Sequence, residues 1–450
     1  MKVQYWIILF LIISASGWLI LQTGSIEPRS EERIDLNWRF TMEDDSIFSE
    51  PEYDDSGWEI VSLPHDWMIT GKPEETNPSG KAGGFYPGGI GWYRKQLEPE
   101  NFEGWDQFYL VFDGVYMNSD VWINGHYLGG KHYGYIGFHF DISEYILKDT
   151  TNVIAVRTDC STLPTDRWYS GAGIYRHVKL IRTSNLHFPV FPATITTKEM
   201  QGYREVDAQI RVVNNEKRPR RFKIKSDLLG PDGSLVGTVI SSMTIKGYDT
   251  VTVNEQIQVE NPVFWSDTNP ALYEIHSFLL NRKRVVDNIT NTFGIRDISF
   301  SPDSGFILNN KKVWLKGVCI HHDGGALGSA VPDATWEYRL KAFKELGVNA
   351  LRLAHNPHAP EVLEMCDRMG FFVIDEMYDK WEFRWSGESK YEDFNKTCEE
   401  DLAYFIERDK NHPCVIAWSV GNETYHQLRD PAEGSAIYRK LADVVYSVDT

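Results

Sequence analysis

The chain has 450 residues, of which 42% are hydrophobic, and it carries a formal net charge of −18. This length is enough for roughly three globular domains, each with its own core. The acidic charge argues against binding to nucleic acid or to anionic membrane surfaces, because both would repel the protein.

Aromatic residues are frequent, with 15 Trp, 22 Tyr and 23 Phe. Most of these rings are expected in the cores of β-sandwiches, although exposed rings also provide platforms for the faces of sugars. The five cysteines show no paired short spacing, so neither a disulfide framework nor a zinc site is predicted. We expect no bound cofactor.

The first segment is an apolar run over residues 5–21, which follows Lys2 and is interrupted by small residues at 14–17. Its length and its small residues fit a cleaved export signal in residues 1–24 better than a retained membrane anchor. We therefore expect an exported protein, periplasmic or extracellular, that is attached to a membrane only if this segment is retained.

Residues 25–182 alternate short strands with turns, for example in QFYLVFDGV and SDVWINGHYLGG. Asn124-Gly125 is a strong signal for a two-residue hairpin, since both residues tolerate positive φ. The pattern continues over residues 183–296, with Gly-Pro-Asp-Gly at 230–233 as a turn. These features predict two β-sandwiches, the second immunoglobulin-like, with no helix of useful length in either.

From residue 297 to residue 450, apolar strands alternate with amphipathic stretches. The strands are VWLKGVCI, ALRLA, FFVID and VIAWSV, and the helices are expected near 334–346, near 360–369, ending by His412, and near 432–445. Four successive βα units predict a parallel sheet of the barrel type.

Polar residues stand at the ends of all four strands: His321 and His322, His355 and Asn356, Asp375 and Glu376, and Asn422 and Glu423. The carboxyl ends of barrel strands share one rim, where the working residues of such folds lie. A single polar residue can instead mark the point where a strand leaves the core. Four strand ends together favour a site, and Glu423 in WSVGNE is its leading candidate.

Seven segments, in this order along the chain, resemble the glycoside hydrolases of family 2: SLPHDWMI, NPSG, GGFYPGGIGWYRK, DRWYSGAGIYR, GFILNNKKVWLKGVCIHHD, LRLAHNPH and RDKNHPCVIAWSVGNE. A single one would be weak, but the ordered set is specific. The resemblance implies a jelly-roll sugar-binding domain, an immunoglobulin-like domain and a catalytic (β/α)8 barrel.

The resemblance also implies a retaining mechanism, in which one carboxyl group protonates the departing oxygen and a second attacks the sugar. Glu423 matches the general acid/base, so we expect its pKa to be raised. Asn422 matches a residue that holds the sugar 2-hydroxyl, and His321 and His355 match positions that line the sugar pocket.

Two residues of the first domain match positions that reach into the sugar site of β-galactosidases. They are Asn77 in NPSG and Asp166 in DRW. Both can instead be turn residues, because Asn-Pro and Thr-Asp are turn-prone.

The chain departs from the family pattern in two ways. The magnesium ligands of the best-known bacterial β-galactosidases align with Lys380 and Glu382, so magnesium is not expected there. The family's nucleophilic glutamate lies on the seventh barrel strand, whereas this sequence ends at Thr450, after about the fourth helix. Asp375 and Glu376 are poor substitutes, and the chain as given is expected to be either a fragment or a product unable to hydrolyse by this mechanism.

The motifs RWYSGAGIYR and GVCIHHDGGALG resemble the galactosidase branch more than the glucuronidase branch. We therefore predict hydrolysis of terminal β-galactosides, with a β-linked glycoside as the partner molecule. A β-glucuronidase and a truncated, non-catalytic carbohydrate-binding protein stay as alternatives. The exposed edge of an open half-barrel also favours pairing with a second copy of the chain.

Overall fold

The structure, a computed structural model, describes residues 28–381, 394–425 and 430–449. The predicted export signal and Glu382 lie outside these described residues. Within those ranges, no helix has the length and apolarity needed to cross a membrane.

The first domain is a sandwich of two antiparallel sheets. Its strands are β1 (Ser30–Arg33), β2 (Trp38–Thr41), β3 (Glu59–Val61), β4 (Ile90–Leu97), β5 (Gln107–Phe112), β6 (Ser119–Ile123), β7 (His126–Lys131), β8 (Phe138–Asp141), β9 (Asn152–Asp159) and β10 (Val178–Thr183). One sheet has the order β1-β10-β5-β8 and the other the order β3-β2-β4-β9-β6-β7.

Strand β6 shows why these sheets pack face to face. Val121 and Ile123 are fully buried in the core between the sheets, whereas Asp120 and Trp122 alternate with them and point to the outer face. The hairpin that follows has Asn124 and Gly125 at positive φ, 50° and 78°, as predicted from the sequence.

The second domain is also a two-sheet sandwich. Its strands are β11 (Leu186–His187), β12 (Ala193–Met200), β13 (Tyr203–Asn214), β14 (Arg220–Leu229), β15 (Leu235–Ile245), β16 (Asp249–Val259), β17 (Tyr273–Asn281) and β18 (Arg284–Phe293). In one sheet β13 pairs with β11, β12 and β16, and the other sheet has the order β15-β14-β17-β18. The described parts of both sandwiches contain no helix longer than a short 3₁₀ turn, as expected.

A small antiparallel sheet leads into the third domain, and a parallel sheet with flanking helices follows. The strands are β19 (Ile298–Ser301), β20 (Gly305–Leu308), β21 (Lys311–Lys312), β22 (Gly317–Ile320), β23 (Ala350–Leu353), β24 (Phe372–Glu376) and β25 (Val415–Ser419). The helices are α1 (Asp333–Glu345), α2 (Pro360–Met369), α3 (Phe394–Asp409) and α4 (Pro431–Val448). Strands β22, β23, β24 and β25 are neighbours in that order and all run parallel.

Helix α2 shows how local sequence sets these elements. It begins with Pro360, whose ring suits the first helical turn, and ends before Gly370, which adopts a left-handed conformation with φ of 72°. Its apolar face, including Val362 and Leu363, is fully buried against the parallel sheet. Along the whole chain, two sandwiches are followed by βα units, in the order that the sequence predicted.

The first sandwich and the helices of the third domain share a polar joint. Arg33 at the end of β1 donates to Asp333 at 2.9 Å and to Glu361 at 2.6 Å. Arg176 donates to the carbonyl oxygen of Pro357 at 2.6 Å. This joint places the loop that precedes β10 over the carboxyl ends of the parallel strands.

Candidate active site

Glu376, the last residue of β24, lies at the centre of the rim and is fully buried. Its carboxylate accepts hydrogen bonds from Arg352 at 2.7 Å, from His355 Nδ1 at 2.6 Å and from Ser419 Oγ at 2.5 Å. Burial disfavours the charged form, but these hydrogen bonds outweigh it and lower the pKa of Glu376. Glu376 is thus an ionised group that fixes the ends of β23 and β25.

Asn422 is joined to this cluster by the same arginine. Arg352 Nη2 donates to Asn422 Oδ1 at 2.9 Å, and Asn422 Nδ2 donates to Asp379 Oδ1 at 2.6 Å. The side-chain amide is therefore held in one orientation, with its carbonyl oxygen towards Arg352. The structure brings Asn422 and His355 to the same rim, as the strand-end pattern predicts.

Glu423 follows Asn422 and is the exposed member of the site, with 56% of its side chain accessible. Its carboxylate is paired with Arg167 and with Lys380, whose Nζ lies 3.1 Å from Oε2. Hydrogen bonds from Arg167 and then Lys380 lower the pKa of Glu423. The expectation of a raised pKa is therefore wrong for this arrangement, because two cations face the carboxylate where the sequence indicated an apolar strand end.

Asp166 belongs to the loop of the first sandwich that reaches the rim. Its Oδ2 accepts hydrogen bonds from the hydroxyls of Tyr116 at 2.7 Å and Tyr135 at 2.8 Å. Burial raises the pKa of Asp166, and the two hydroxyls partly offset this effect. Asp166 therefore anchors its loop, and this loop carries Arg167 and Trp168 to the site.

Trp168 forms an aromatic contact with both predicted pocket histidines. Its ring centroid lies 5.2 Å from that of His321 and 5.5 Å from that of His355, and the two imidazoles are 5.4 Å apart. Burial lowers the pKa of His321, so this ring favours the neutral form. These three rings form an aromatic wall beside the carboxylates, of the kind that packs against a sugar face.

Asn77 is not seen to join this cluster. Its side-chain amide donates to the carbonyl oxygens of Lys72 at 3.0 Å and Phe85 at 2.8 Å, which lie in its own loop. These bonds fit the turn role that the sequence also allowed. A sugar contact by Asn77 stays a prediction.

Two other strand-end residues, His322 and Asp375, point away from the rim cluster. His322 is buried with Nε2 3.1 Å from the carbonyl oxygen of Ser170, against the first sandwich. Asp375 is buried on the opposite side of β24 from Glu376, and burial and the nearby Asp409 raise its pKa. Asn356 is fully buried, and no hydrogen bond joins its side-chain amide to the rim cluster. A strand delivers alternate residues to opposite faces, so only one of Asp375 and Glu376 could reach the rim.

Sequence reasoning missed the charged residues that surround Glu423. Arg167 Nη2 donates to Asp379 Oδ1 at 3.0 Å, so one guanidinium bridges Asp379 and Glu423. Arg167 lies inside the motif DRW and Lys380 inside DEMYDKW, but neither position was assigned a role in the site. No spacing rule pairs residues so far apart along the chain.

The aligned magnesium position does not suit a metal ion in this chain. Lys380 is buried, and its charged Nζ lies 3.1 Å from Glu423 Oε2 and 3.7 Å from Asp379 Oδ2. A protonated amine has no lone pair to offer a cation. The ammonium itself supplies positive charge beside the carboxylates, so no step is assigned to magnesium.

Comparison with known proteins agrees with this architecture. Sequence models of the glycosyl hydrolase family 2 sugar binding domain, of glycosyl hydrolases family 2, and of the family's TIM barrel domain match residues 32–184, 192–296 and 302–449. The chain belongs to glycosyl hydrolase family 2. The predicted fold class, a jelly-roll sandwich and an immunoglobulin-like sandwich followed by part of a TIM barrel, is thereby confirmed.

Family 2 relatives include both galactosidases and glucuronidases by name. A β-galactosidase, BoGH2A of Bacteroides ovatus, is 39% identical over 90% of this chain and 48% of that protein. A putative β-glucuronidase of Formosa agariphila is 37% identical over 89% of this chain and 38% of that protein. The chain thus spans about half the length, or less, of these relatives.

Solved structures of the family superpose closely. A family 2 member from Bacteroides cellulosilyticus has a TM-score of 0.88 at 37% identity, covering 93% of this chain and 55% of that one. A β-glucuronidase of Bacteroides uniformis has a TM-score of 0.80 at 26% identity, covering 93% of this chain and 50% of that one.

Proposed function

We propose that the protein is a retaining glycoside hydrolase that cleaves terminal β-galactosides, with Glu423 as its general acid/base. The observation that supports this most is the meeting of Glu423, Asn422 and His355 with the first-domain loop at one rim. Two separate domains contribute side chains to this rim, as expected for a sugar site at the end of a barrel.

Each neighbour of Glu423 has a role in this proposal. Asn422, fixed by Arg352, presents its amide to the sugar 2-hydroxyl, and the wall of Trp168, His321 and His355 packs against the ring. Glu376 is not proposed as the attacking group, because its side chain is fully buried beneath Arg352 and His355, which it binds. Its role is to orient Arg352 and His355.

The acid role of Glu423 is tested by Glu423→Gln in the full-length protein. We expect a loss of about 10²-fold or more in kcat on substrates with poor leaving groups, because only these need a proton. With aryl glycosides that carry activated leaving groups, the rate of the bond-breaking step should fall much less. Pre-steady-state release of the phenol measures this step.

The control is Glu433→Gln, because Glu433 is an exposed glutamate of α4. An equal loss in that step on both substrate classes would contradict the acid role.

Substrate choice is tested with a panel of aryl glycosides. We expect kcat/KM for the β-galactoside to exceed that for the β-glucuronide and the β-mannoside by at least about tenfold. The second candidate, a β-glucuronide, would place its carboxylate near Arg167 and Lys380, which it would share with Glu423 and Asp379. If the glucuronide gives the highest kcat/KM, the galactosidase assignment is wrong and the family assignment stands.

Export through residues 1–24 is also part of the proposal. An exported glycosidase meets oligosaccharides outside the cytoplasm. Detection of the protein in the periplasm or medium, with a mature N-terminus near residue 25, would support it.

A further inference from the structure

The Glu423 carboxylate is held between two cations that come from different domains. Arg167 belongs to the loop before β10 in the first sandwich, and its Nη1 is paired with Glu423 Oε2. Lys380 follows β24, and its Nζ lies 3.1 Å from the same oxygen and 3.3 Å from the backbone oxygen of Glu423. The carboxylate therefore has two fixed positive partners.

Asp379 is a second carboxyl group within the same cluster, and burial raises its pKa, although the Asn422 hydrogen bond and the charges of Lys380 and Arg167 oppose this effect. Arg167 Nη2 donates to Asp379 Oδ1 at 3.0 Å, and Lys380 Nζ lies 3.7 Å from Asp379 Oδ2. Asn422 holds Asp379 as well, through its side chain and through its backbone N–H, each at 2.6 Å. The four residues form a closed ring of two cations and two carboxyl groups.

The members of this ring differ strongly in exposure. The side chains of Lys380, Asp379 and Arg167 are 3%, 12% and 20% exposed, whereas that of Glu423 is 56% exposed. Glu423 is therefore the member that the described residues enclose least. When it leaves, Arg167 and Lys380 share the single carboxyl group of Asp379, at 3.0 and 3.7 Å, so a net positive charge stays behind that favours the return of an ionised Glu423.

We propose that Arg167 and Lys380 are positioning residues that hold Glu423 in a resting place, which its carboxylate must leave before it acts as an acid. This inference rests on the proposed role of Glu423. In the ring the ionised form is stabilised, and the pKa of Glu423 is lowered accordingly. Outside the ring the carboxylate can take up a proton from solvent.

The proton balance of the step is simple. Glu423 gives its proton to the glycosidic oxygen as the bond from that oxygen to the anomeric carbon breaks, and the attacking carboxylate, the glutamate that the family carries on its seventh barrel strand, bonds to that carbon. Glu423 is then ionised again, and it removes a proton from the water that releases the sugar. After this step Glu423 again holds a proton, and it returns to Arg167 and Lys380 once it has released that proton to solvent.

Several other titratable or charged groups lie around the ring. They stay in place when Glu423 moves, since their hydrogen bonds and ring contacts are to other residues: Asp166, His321, Arg352, His355 and Glu376. The ring of Tyr425 lies 4.4 Å from Lys380 Nζ. Arg167 is the member whose removal changes the charge at Glu423 without emptying a buried position.

The test is a direct titration of Glu423 that needs no enzymatic activity. Glutamate labelled with ¹³C in the side-chain carboxyl group is incorporated into the full-length protein, and the Glu423 signal is assigned from its loss in Glu423→Gln. We expect Arg167→Gln to raise the pKa of Glu423, and Arg167→Lys to restore part of the difference. Arg157→Gln is the matched control, because Arg157 is 22% exposed and pairs with Asp44 and Asp159 within the first sandwich.

A second arm uses the pH dependence of kcat/KM on a substrate with a poor leaving group. In Arg167→Gln the alkaline limb should move to higher pH, with a several-fold higher rate on that limb, because more Glu423 holds its proton.

An unchanged titration of Glu423 in Arg167→Gln would overturn the inference, and so would a higher KM with an unchanged pH profile. If no variant hydrolyses any glycoside, the proposed function fails, while the titration still decides this inference. Lys380→Gln repeats the titration if Arg167→Gln does not fold.

Discussion

Asp66 shows how a single buried residue joins the segments that shape the site. Its carboxylate accepts hydrogen bonds from the Tyr169 hydroxyl at 2.7 Å, the Ala172 N–H at 3.0 Å and the Ser329 N–H at 2.8 Å. Burial raises the pKa of Asp66, and these donors partly offset that cost. The motif PHDW therefore supports the loop that carries Arg167, and it ties this loop to the segment after β22.

Gly171 lies against this carboxylate in a conformation that other residues avoid. Its φ is 76°, and a Cβ atom there would collide with Ser329 Oγ and approach Asp66 Oδ2 at 2.8 Å. We expect Gly171→Ala to lower the free energy of unfolding by about 2–4 kcal/mol, through backbone strain together with the collision. Thermal or urea unfolding measures the loss.

The control for this prediction is Gly202→Ala. Gly202 also has a positive φ, 92°, but a Cβ there meets nothing within 4 Å. Gly202→Ala should lower the free energy of unfolding by only about 1 kcal/mol, through backbone strain alone. Equal losses in the two variants would show that crowding by Ser329 and Asp66 does not constrain Gly171.

The residues of the site were predictable to different degrees. Glu423 and Asn422 could be placed because they follow an apolar strand, and the structure puts both at the rim. The pairing of Arg167 with Glu423 could not be predicted, because the two residues are 256 positions apart and no periodic pattern in the sequence connects them. For the same reason, the sequence predicted an apolar setting for Glu423 and missed the two cations that reverse the direction of its pKa.

At the scale of elements, the sequence predicted the strands and helices of the third domain closely. Helix α2 runs over Pro360–Met369, the range expected from its amphipathic pattern and its terminal proline and glycine. Helix α1 begins at Asp333, one residue before the expected start. Local signals of this kind act within a few residues, so they can be read without knowing the tertiary fold.

The face on which each strand residue lies was less predictable. Asp375 and Glu376 end the same strand, yet Glu376 meets Arg352 and His355 while Asp375 lies beside Asp409. In a strand that is buried on both sides, apolar alternation does not show which face is the rim. The position of β24 between β23 and β25 determines which of its residues faces the rim.

At the scale of the whole molecule, the joint between the first sandwich and the third domain centres on His177. Its Nδ1 lies 2.7 Å from Asp35 in the first sandwich, and its Nε2 lies 3.1 Å from Asp333 at the start of α1. Burial opposes the charge, but the Asp35 hydrogen bond, the negative field of Glu361 and the Asp333 hydrogen bond raise the pKa of His177 to about 9. Arg33 pairs with Asp333 and Glu361 in the same cluster.

We expect His177→Gln to destabilise the protein in a pH-dependent way. The folded-state pKa of about 9 is above the unfolded value near 6.5, so the charged imidazole stabilises the folded state fully below about pH 6.5. This contribution is lost as the pH rises through about 9. The variant should lose on the order of 2 kcal/mol at pH 6.5 and much less at pH 9.5.

Unfolding curves at pH 6.5, 8 and 9.5 measure this difference. His276→Gln is the control, because His276 pairs with Glu274 on one strand within the second sandwich and crosses no joint. A loss in His177→Gln that stays constant over this range would show that the charge of His177 does not stabilise the joint.

The joint also determines when, during synthesis, the site can first exist. The first sandwich is complete at the end of β10, Thr183, and domains generally fold as units while the chain is being made. The loop of Asp166 is then already anchored on Tyr116 and Tyr135. Glu423 is translated 256 residues after Arg167, so the earliest part of the chain forms one wall and the later part docks on it. The pairing of Arg167 with Glu423 therefore forms late in synthesis, when the third domain docks on a first sandwich that has already folded.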